Sequence, residues 1–315
     1  MYVYIQYNNT KVFCYKIYYY IVILCVIASD HASNVTEEQY TLVKIRPRVF
    51  GGKEVKLAQL KHHVFIKKLT NTQKKEYRAI CSGNIITPER VLSSAHCFLT
   101  NQKRDRQPIY TLRVVAGVLV TYAHLPESDD VQQWRSIHHI YSQKFFRFPA
   151  YNLAVLVMDR PWIFNQFVNK IPYASKDQDF DGVCKAIAVK PVKSWSQSRT
   201  LFWEDFKMMT RDSCETALLR SCRLYHCTEA DSARLLLDSV ESEGGGLICH
   251  GTGDPEEVDE NQGVLVGITS LIFVKLPTLH HKVSLFHKWV TDDATMINCV
   301  DVALLLFCFL IKFSA

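Results

Sequence analysis

From Val49 onward the chain consists of short runs rich in β-branched and aromatic residues, each separated from the next by turn-forming residues. Examples are "HHVFIKKL", "RAICSGNII", "NLAVLVMD" and "VLVGITSLIFV". Regular spacing of such runs is typical of a β-sandwich or a β-barrel. A helix is expected near the end, in "VSLFHKWVTD", where apolar residues recur at helical spacing. The pattern therefore predicts an all-β architecture that ends in a helix.

The composition excludes disorder and gives only a weak indication of partners. Of the 315 residues, 48% are hydrophobic and 22% are charged, and the formal net charge is +6. Eight Lys and Arg side chains fall between Lys53 and Arg78. One interpretation is a patch for an acidic polysaccharide, formed by Lys67, Lys68, Lys74 and Lys75. The more ordinary interpretation is a solvated face of alternating strands.

The N-terminus has the pattern of a secretory signal. The apolar run "IYYYIVILCVIA", at 17–28, follows two lysines and precedes small residues that suit cleavage, so residues 1–29 are interpreted as a signal peptide. An uncleaved signal-anchor is the alternative. Residues 30–48 are a short polar segment that resembles a propeptide, and "NVT" from Asn34 is a glycosylation sequon. A secreted, extracellular protein is expected.

Eleven cysteines favour an oxidising compartment over the cytosol. The segment "CRLYHC" offers two thiols and a histidine, but a second pair of ligands at zinc-finger spacing is missing. We therefore expect no metal site and no cofactor.

Two motifs carry a resemblance to a known family. "RVFGG", at Arg48 to Gly52, and "CSGNIITPERVLSSAHC", at Cys81 to Cys97, resemble the chymotrypsin-like (trypsin-fold, S1-type) serine proteases. The resemblance covers about Arg48 to Thr291. It implies two packed six-stranded antiparallel β-barrels with a C-terminal helix over residues 49–291, and an activation cleavage between Arg48 and Val49.

The same resemblance implies that two of the three catalytic positions are replaced. His96 matches the base of the family's Ser-His-Asp triad. Asn152, in "YNLAVL", matches the acid, and Glu243, in "ESEGGGLIC", falls on the nucleophilic serine. Asparagine carries no charge to stabilise an imidazolium, and a carboxylate places negative charge where an oxyanion would develop. An alignment shifted by one residue would instead make Ser242 the nucleophile.

The substrate cleft also departs from the family pattern. Ser242 occupies the place of the aspartate that pairs with the new N-terminus after cleavage, and Leu237 falls on the floor of the specificity pocket. Ser270, Leu271 and Ile272 replace the substrate-pairing Ser-Trp-Gly. Leu237, Ser270, Leu271 and Ile272 are interpreted as a remnant substrate cleft.

The resemblance implies three disulfide bonds. They join Cys81 to Cys97, Cys184 to Cys249, and Cys214 to Cys227. Cys222, Cys299 and Cys308 remain unassigned, and a Cys222 to Cys299 bond or an intermolecular bond stays open.

The tail, residues 292–315, ends in an apolar stretch about half as long as a membrane-spanning helix requires. A GPI-anchor signal beginning near Asp292, Asp293 and Ala294 is one interpretation. A tail that packs on the domain or is an incidental extension is favoured.

These features together predict a secreted, catalytically inactive serine protease homologue of insect type that acts by binding. The resemblance implies a regulator, cofactor or decoy in an extracellular proteolytic cascade. The expected partner is a protease, an inhibitor or a receptor, with polysaccharide possible, nucleic acid not expected, and membrane contact only through an anchor. The alternatives are a divergent active serine endopeptidase or esterase that uses Ser242 with His96, or water activated by Glu243, and a polyanion-binding module.

Overall fold

A computed structural model of the chain describes residues 42–44, 53–102, 104–106, 108–124, 131–191, 199–229, 240–273 and 276–292. Several sequence predictions lie outside these residues: the signal peptide, the Arg48–Val49 junction, Leu237, Cys299, Cys308 and the tail after Asp292. Among the described residues, no helix combines the length and the apolar character that crossing a bilayer would require.

Strands dominate the described part of the chain. In chain order they are β1 (Leu42–Lys44), β2 (Lys53–Glu54), β3 (His63–Asn71), β4 (Glu76–Thr87), β5 (Arg90–Ser93), β6 (Leu112–Ala116), β7 (Tyr122–His124), β8 (Gln133–Arg135), β9 (Ile137–Ser142), β10 (Ala154–Met158), β11 (Asp179–Asp181), β12 (Val183–Pro191), β13 (Arg199–Met209), β14 (Tyr225–Thr228), β15 (Gly246–Cys249), β16 (Val264–Leu271) and β17 (Thr278–Lys282). The α-helices of this part span Arg211–Leu218 and His287–Asp292.

The first sheet curls into a half-barrel. Its strand order is β8-β6-β3-β4-β5-β10-β9, with β7 paired to β4, and the pairs are antiparallel. The two edge strands, β8 and β9, are consecutive in the chain and only Ser136 separates them. The covalent chain therefore brings the two edges together at this residue, where the hydrogen-bond ladder is interrupted. Val64, Ile66 and Ile85 are among the fully buried residues inside this curl.

The second sheet closes into a six-stranded antiparallel barrel. Its order is β12-β15-β16-β17-β14-β13, and pairing of β12 with β13 completes the ring. Phe206, Leu247 and Val266 are fully buried in its core. The all-β prediction with two barrel-like halves is confirmed; one half is a closed ring and the other a curled sheet. The short β1 lies apart and pairs in parallel with β11.

The helix Arg211–Leu218 was not predicted from the sequence. Thr210 caps it by accepting a hydrogen bond from Ser213 N, and Asp212 lies in its first turn. Cys214 is its buried residue, so it lacks the apolar periodicity on which the sequence prediction relied. The Cys214–Cys227 disulfide fixes the helix to β14.

The C-terminal helix is present as expected. A 3₁₀ turn, Ser284–Phe286, leads into the α-helix His287–Asp292. Val283 and Val290 are buried in a cluster with residues of both sheets, including Leu92 and Leu265. The helix therefore packs where the two halves of the domain meet.

Candidate active site

His96 is held in a short 3₁₀ turn, Ala95–Cys97, directly after β5. The Cys81–Cys97 disulfide ties this turn to β4, and the backbone N–H of His96 donates to Asn152 Oδ1 at 2.9 Å. The Phe148 ring packs on the imidazole, with 4.9 Å between ring centroids. These contacts fix the ring in one orientation.

Asn152 is fully buried just before β10 and sets the proton position on the imidazole. Its Nδ2 donates to Ser270 Oγ at 2.7 Å and lies 2.9 Å from His96 Nδ1. Its Oδ1 already accepts from the His96 backbone and lies 3.2 Å from the same ring nitrogen. Because Oδ1 is taken by the backbone N–H and Nδ2 lies closer to Nδ1, we infer that Nδ1 accepts from the amide and that the imidazole proton is on Nε2.

Glu243 completes a chain of three polar side chains. Its Oε2 lies 2.5 Å from His96 Nε2. The side chains of His96 and Glu243 are 11% and 16% exposed. A carboxylate only accepts hydrogen bonds, so His96 donates its Nε2 proton to Glu243. The nitrogen that would act as a base in a serine protease is therefore engaged as a donor.

The loop that carries Glu243 is fixed to the first sheet by a set of buried hydrogen bonds, which we call the seam. Ser82 Oγ donates to Glu241 O at 2.6 Å and Ser82 N to Glu243 O at 2.8 Å, while Asn84 Nδ2 donates to Gly244 O at 3.2 Å. Gly244 has φ +82°, and a Cβ there would lie 2.3 Å from Ser82 O. The loop thus requires glycine at this position.

Sequence reasoning did not identify the seam. The available signal was Ser82, a polar residue between Cys81 and Gly83 in a strand of small and apolar residues. A buried hydroxyl in such a strand needs a partner, but the sequence does not show that this partner lies 159 residues away.

Ser242 is fully buried and its Oγ accepts a hydrogen bond from Val189 N at 3.1 Å. The Ser242 side chain therefore points into the barrel, whereas the next residue, Glu243, contacts His96. The structure brings His96, Asn152 and Glu243 together and turns Ser242 toward β12.

The described residues of the remnant cleft pack against the protein interior. A bulge in β16 falls at Ser270, and the fully buried Ser270 Oγ accepts from Asn152. Ile272 packs against the core of the second barrel, and Leu271 packs against the cluster around Cys214. Thr278, which the sequence analysis did not single out, is fully buried, and within the described part of the chain its Oγ1 has no hydrogen-bond partner.

The predicted lysine patch is wrong at Lys67. This side chain is fully buried, its Nζ donates to Val120 O at 3.0 Å, and it lies beneath the Trp134 ring. Burial lowers the pKa of Lys67 to about 7. Lys68 is half-buried, and Lys74 and Lys75 are exposed near the hairpin tip. The patch thus loses one of its four members.

The three disulfide bonds implied by the resemblance are present. Cys222 is a buried free thiol, 2.8 Å from Cys214 Sγ, and burial raises its pKa to about 11. Cys222 lies with Cys214 and Cys227 in a cluster of three sulfurs, but two of these are oxidised to a disulfide and cannot bind a metal as thiolates.

The sequence is similar to that of trypsin-like proteins from several animals. The family model described as Trypsin matches residues 49–290. The chain is 26% identical to coagulation factor IX of Cavia porcellus over 237 residues, which cover 71% of this chain and 72% of that protein. It is 24% identical to trypsin zeta of Drosophila erecta over 256 residues, 77% of this chain and 84% of that protein. Ovochymase-2 of Mus musculus is 26% identical over 64% of this chain but only 32% of its own length.

Proposed function

The chain belongs to the trypsin family, and from that premise we propose that it is a secreted serine protease homologue that does not hydrolyse peptides and acts by binding another protein. The observation that carries this proposal is the contact between His96 Nε2 and Glu243 Oε2, 2.5 Å apart.

Triad chemistry needs a free imidazole nitrogen beside a hydroxyl. In the triad, the histidine takes a proton from the serine and returns it to the leaving group. Here the residue at the nucleophile position is a carboxylate, which accepts a hydrogen bond from the imidazole and has no proton to give up. A glutamate in this place also opposes the negative charge that builds on a tetrahedral intermediate.

The acid position supports the same conclusion. Asn152 is neutral, and its amide donates toward His96 Nδ1. It therefore favours the tautomer that lacks a free base at Nε2, and it supplies no charge to stabilise an imidazolium. Restoring catalysis would require changing both Asn152 and Glu243.

A binding role is supported by an exposed surface that we call the aromatic–arginine patch: Phe145, Tyr151, Phe286, Arg220 and Arg223. Phe145 is 66% exposed, and its ring lies 5.9 Å from that of Tyr151, which lies 5.9 Å from Phe286. The other four patch residues line a cleft of about 460 Å³. Aromatic and arginine side chains are the types enriched where proteins bind one another. Such a surface fits a regulator, cofactor or decoy in an extracellular proteolytic cascade, and a protease, inhibitor or receptor as its partner.

The catalytic half of the proposal is tested with a fluorophosphonate probe, which labels activated serines. The secreted protein is treated before and after cleavage at Arg48, with His96→Ala as the control. We expect no labelling in any form. Labelling that disappears in His96→Ala, and maps to Ser242 by mass spectrometry, would establish the divergent enzyme instead.

A gain-of-function variant sharpens this test. The double substitution Asn152→Asp with Glu243→Ser rebuilds the triad on the existing seam. We expect the probe to label this variant slowly at position 243, whereas either single substitution stays far less reactive because triad members act as a unit. Labelling of the wild type that is as strong as that of the double variant would refute the proposal.

The binding half is tested by capture from extracellular fluid. The matched variants are Arg220→Glu with Arg223→Glu in the patch, and Lys74→Glu with Lys75→Glu in the exposed hairpin turn, since both pairs change the charge equally. We expect one protein to be lost with the first pair and retained with the second. Equal capture by both variants would show that the aromatic–arginine patch is not the binding surface.

A further inference from the structure

A second cleft, of about 490 Å³, lies away from His96 and is built from five separate segments of the chain. Its walls come from the turn before β3, the Asn169 region, the paired strands β12 and β13, and the loop between β15 and β16. The residues that matter here are Lys61, Lys185, Trp203, Gln59, Asn169 and His62. We call it the Trp203 cleft.

The Trp203 cleft presents hydrogen-bond donors. Gln59 Oε1 accepts from Lys56 N at 2.7 Å, and Asn169 Oδ1 accepts from Lys170 N at 2.8 Å. A backbone N–H can only donate, so the amide oxygens are committed to the loops, and the NH₂ ends of both side chains remain for a ligand. This orientation is fixed by chemistry and not by the choice of an amide rotamer.

Two ammonium groups add to these hydrogen-bond donors. Lys185 Nζ lies 5.8 Å from the centroid of the Trp203 ring, and within the described residues its contact is with that ring and not with a carboxylate. Lys61 holds Asn169 through its backbone carbonyl, which accepts from Asn169 N at 2.9 Å, and its ammonium group also has no carboxylate partner in the described part of the chain. Neither ammonium group is held in an ion pair within the described residues, and Asp205 is the acidic residue opposite Lys185 in the β12–β13 register.

His62 forms a buried part of the cleft wall. It is only 6% exposed, and across the described part of the chain its Nε2 has no hydrogen-bond partner. Ala58, on the same wall, has φ +77°, a conformation that is strained for a residue with a Cβ.

An acceptor-rich anion with a flat apolar face fits these walls. We propose that the Trp203 cleft binds an acidic saccharide, with Trp203 as the platform for the sugar ring and Lys61 and Lys185 as the partners of its carboxylate or sulfate groups. The donors of Gln59 and Asn169 then bind ring hydroxyls. The exposed carboxylate of Asp259 stands at the rim and opposes the anion. This site is independent of whether the chain hydrolyses peptides.

The proposal differs from the polyanion patch that the sequence suggested. That patch lies on the β3–β4 hairpin and has lost Lys67 to the core. The Trp203 cleft has instead a concave shape, an aromatic wall and oriented amides, features that the hairpin lysines lack.

Calorimetric titration of the whole secreted protein tests the site. The ligands are a heparin tetrasaccharide, which has sulfates and carboxylates, an unsulfated heparosan tetrasaccharide, which has carboxylates alone, and neutral maltotetraose. We expect the two acidic sugars to bind and maltotetraose to bind at least about tenfold more weakly. If heparosan binds, carboxylate groups are sufficient for recognition. If heparin binds and heparosan does not, sulfate groups are required.

Matched variants locate the binding. Lys61→Gln with Lys185→Gln should weaken binding about tenfold or more, since each removes a charged hydrogen bond. Lys74→Gln with Lys75→Gln makes the same change of charge on the hairpin and should leave the affinity within about twofold. Asp259→Asn should strengthen binding, a gain that damage to the fold cannot imitate.

Three results from the acidic sugars and the variants would overturn the proposal. They are the absence of binding by both acidic sugars, equal losses in the two lysine pairs, and an unchanged affinity in Asp259→Asn. Equal binding of maltotetraose would also overturn it, because the ligand class would then not be acidic. None of these measurements depends on labelling by the fluorophosphonate probe, so failure here and failure of the proposed function are separable.

Discussion

Replacing Lys67 with methionine should stabilise the protein at neutral pH. The side chain is fully buried, 5.4 Å from the Phe65 ring centroid and 5.9 Å from that of Trp134. Burial lowers the pKa of Lys67 from 10.5 to about 7. Methionine is similar in length and flexibility and can keep the contacts with both rings.

The size of the effect follows from proton linkage. Between pH 7 and pH 10.5 the unfolded chain binds more protons at Lys67 than the folded chain, so the stability of the lysine form rises with pH over this window. Relative to a neutral lysine, the penalty at pH 7 is about 4 kcal/mol. Loss of the hydrogen bond to Val120 O costs about 1 to 2 kcal/mol. The variant should therefore gain about 2 to 3 kcal/mol at pH 7 and about nothing near pH 9.5.

Urea unfolding followed by tryptophan fluorescence, with the disulfides intact, measures both values. The control is Lys74→Met in the exposed hairpin turn, which should show the same small change at both pH values. If Lys67→Met destabilises the protein by the same amount at pH 7 and near pH 9.5, Lys67 does not experience the desolvation described here, and the reasoning is refuted.

Three further changes should also alter the free energy of unfolding. Four buried histidines have pKa values lowered to about 3 or 4 by desolvation: His62, His63, His280 and His281. They fold in the neutral form, so lowering the pH from 7.5 to about 5.5 should reduce the free energy of unfolding by on the order of 1 kcal/mol for each. Their stabilising effect is complete above the unfolded pKa of 6.5 and is lost as the pH falls, and equal urea midpoints at the two pH values would contradict this. Thr278→Val should raise the melting temperature by removing a buried hydroxyl without a partner in the described residues, a gain of about 1 kcal/mol, and a marked loss would mean that the hydroxyl is satisfied. Gly244→Ala should cost roughly 2 kcal/mol or more, because φ is +82° and the new Cβ would meet Ser82 O and Ser93 Oγ, and a neutral effect would show that the seam can shift.

The β-rich halves were predictable because strand patterns depend on residues close in sequence, whereas the turn around His96 and the three disulfides were implied by the family resemblance. Lys67 was mistaken for a surface residue because alternation in β3 normally separates a buried face from an exposed one. Here β3 lies between β4 and β6, with Val64 and Ile66 in one core cluster and Phe65 in another, so both faces are covered. Period-2 reasoning cannot detect that second layer.

Part of the candidate site could be predicted from the sequence, and part of it could not. The family resemblance by itself implied that Asn152 and Glu243 fall on two of the three catalytic positions. That Glu243 contacts His96 Nε2, and that Asn152 directs its amide to Nδ1 and Ser270, depends on rotamers set by tertiary packing. The helix Arg211–Leu218 escaped prediction because an exposed helix has no apolar periodicity to reveal it.

The seam has a consequence for how such a molecule can change over evolutionary time. Every seam bond that fixes the Glu243 loop ends on a main-chain oxygen, at Glu241, Glu243 or Gly244. A carbonyl is present whatever side chain the residue carries, so the loop keeps its shape when the side chain at position 243 is exchanged. The backbone oxygens of these residues determine the shape of the loop, and the side chain at position 243 determines its chemistry. The scaffold around this loop can therefore be inherited unchanged while the side chain at position 243 varies.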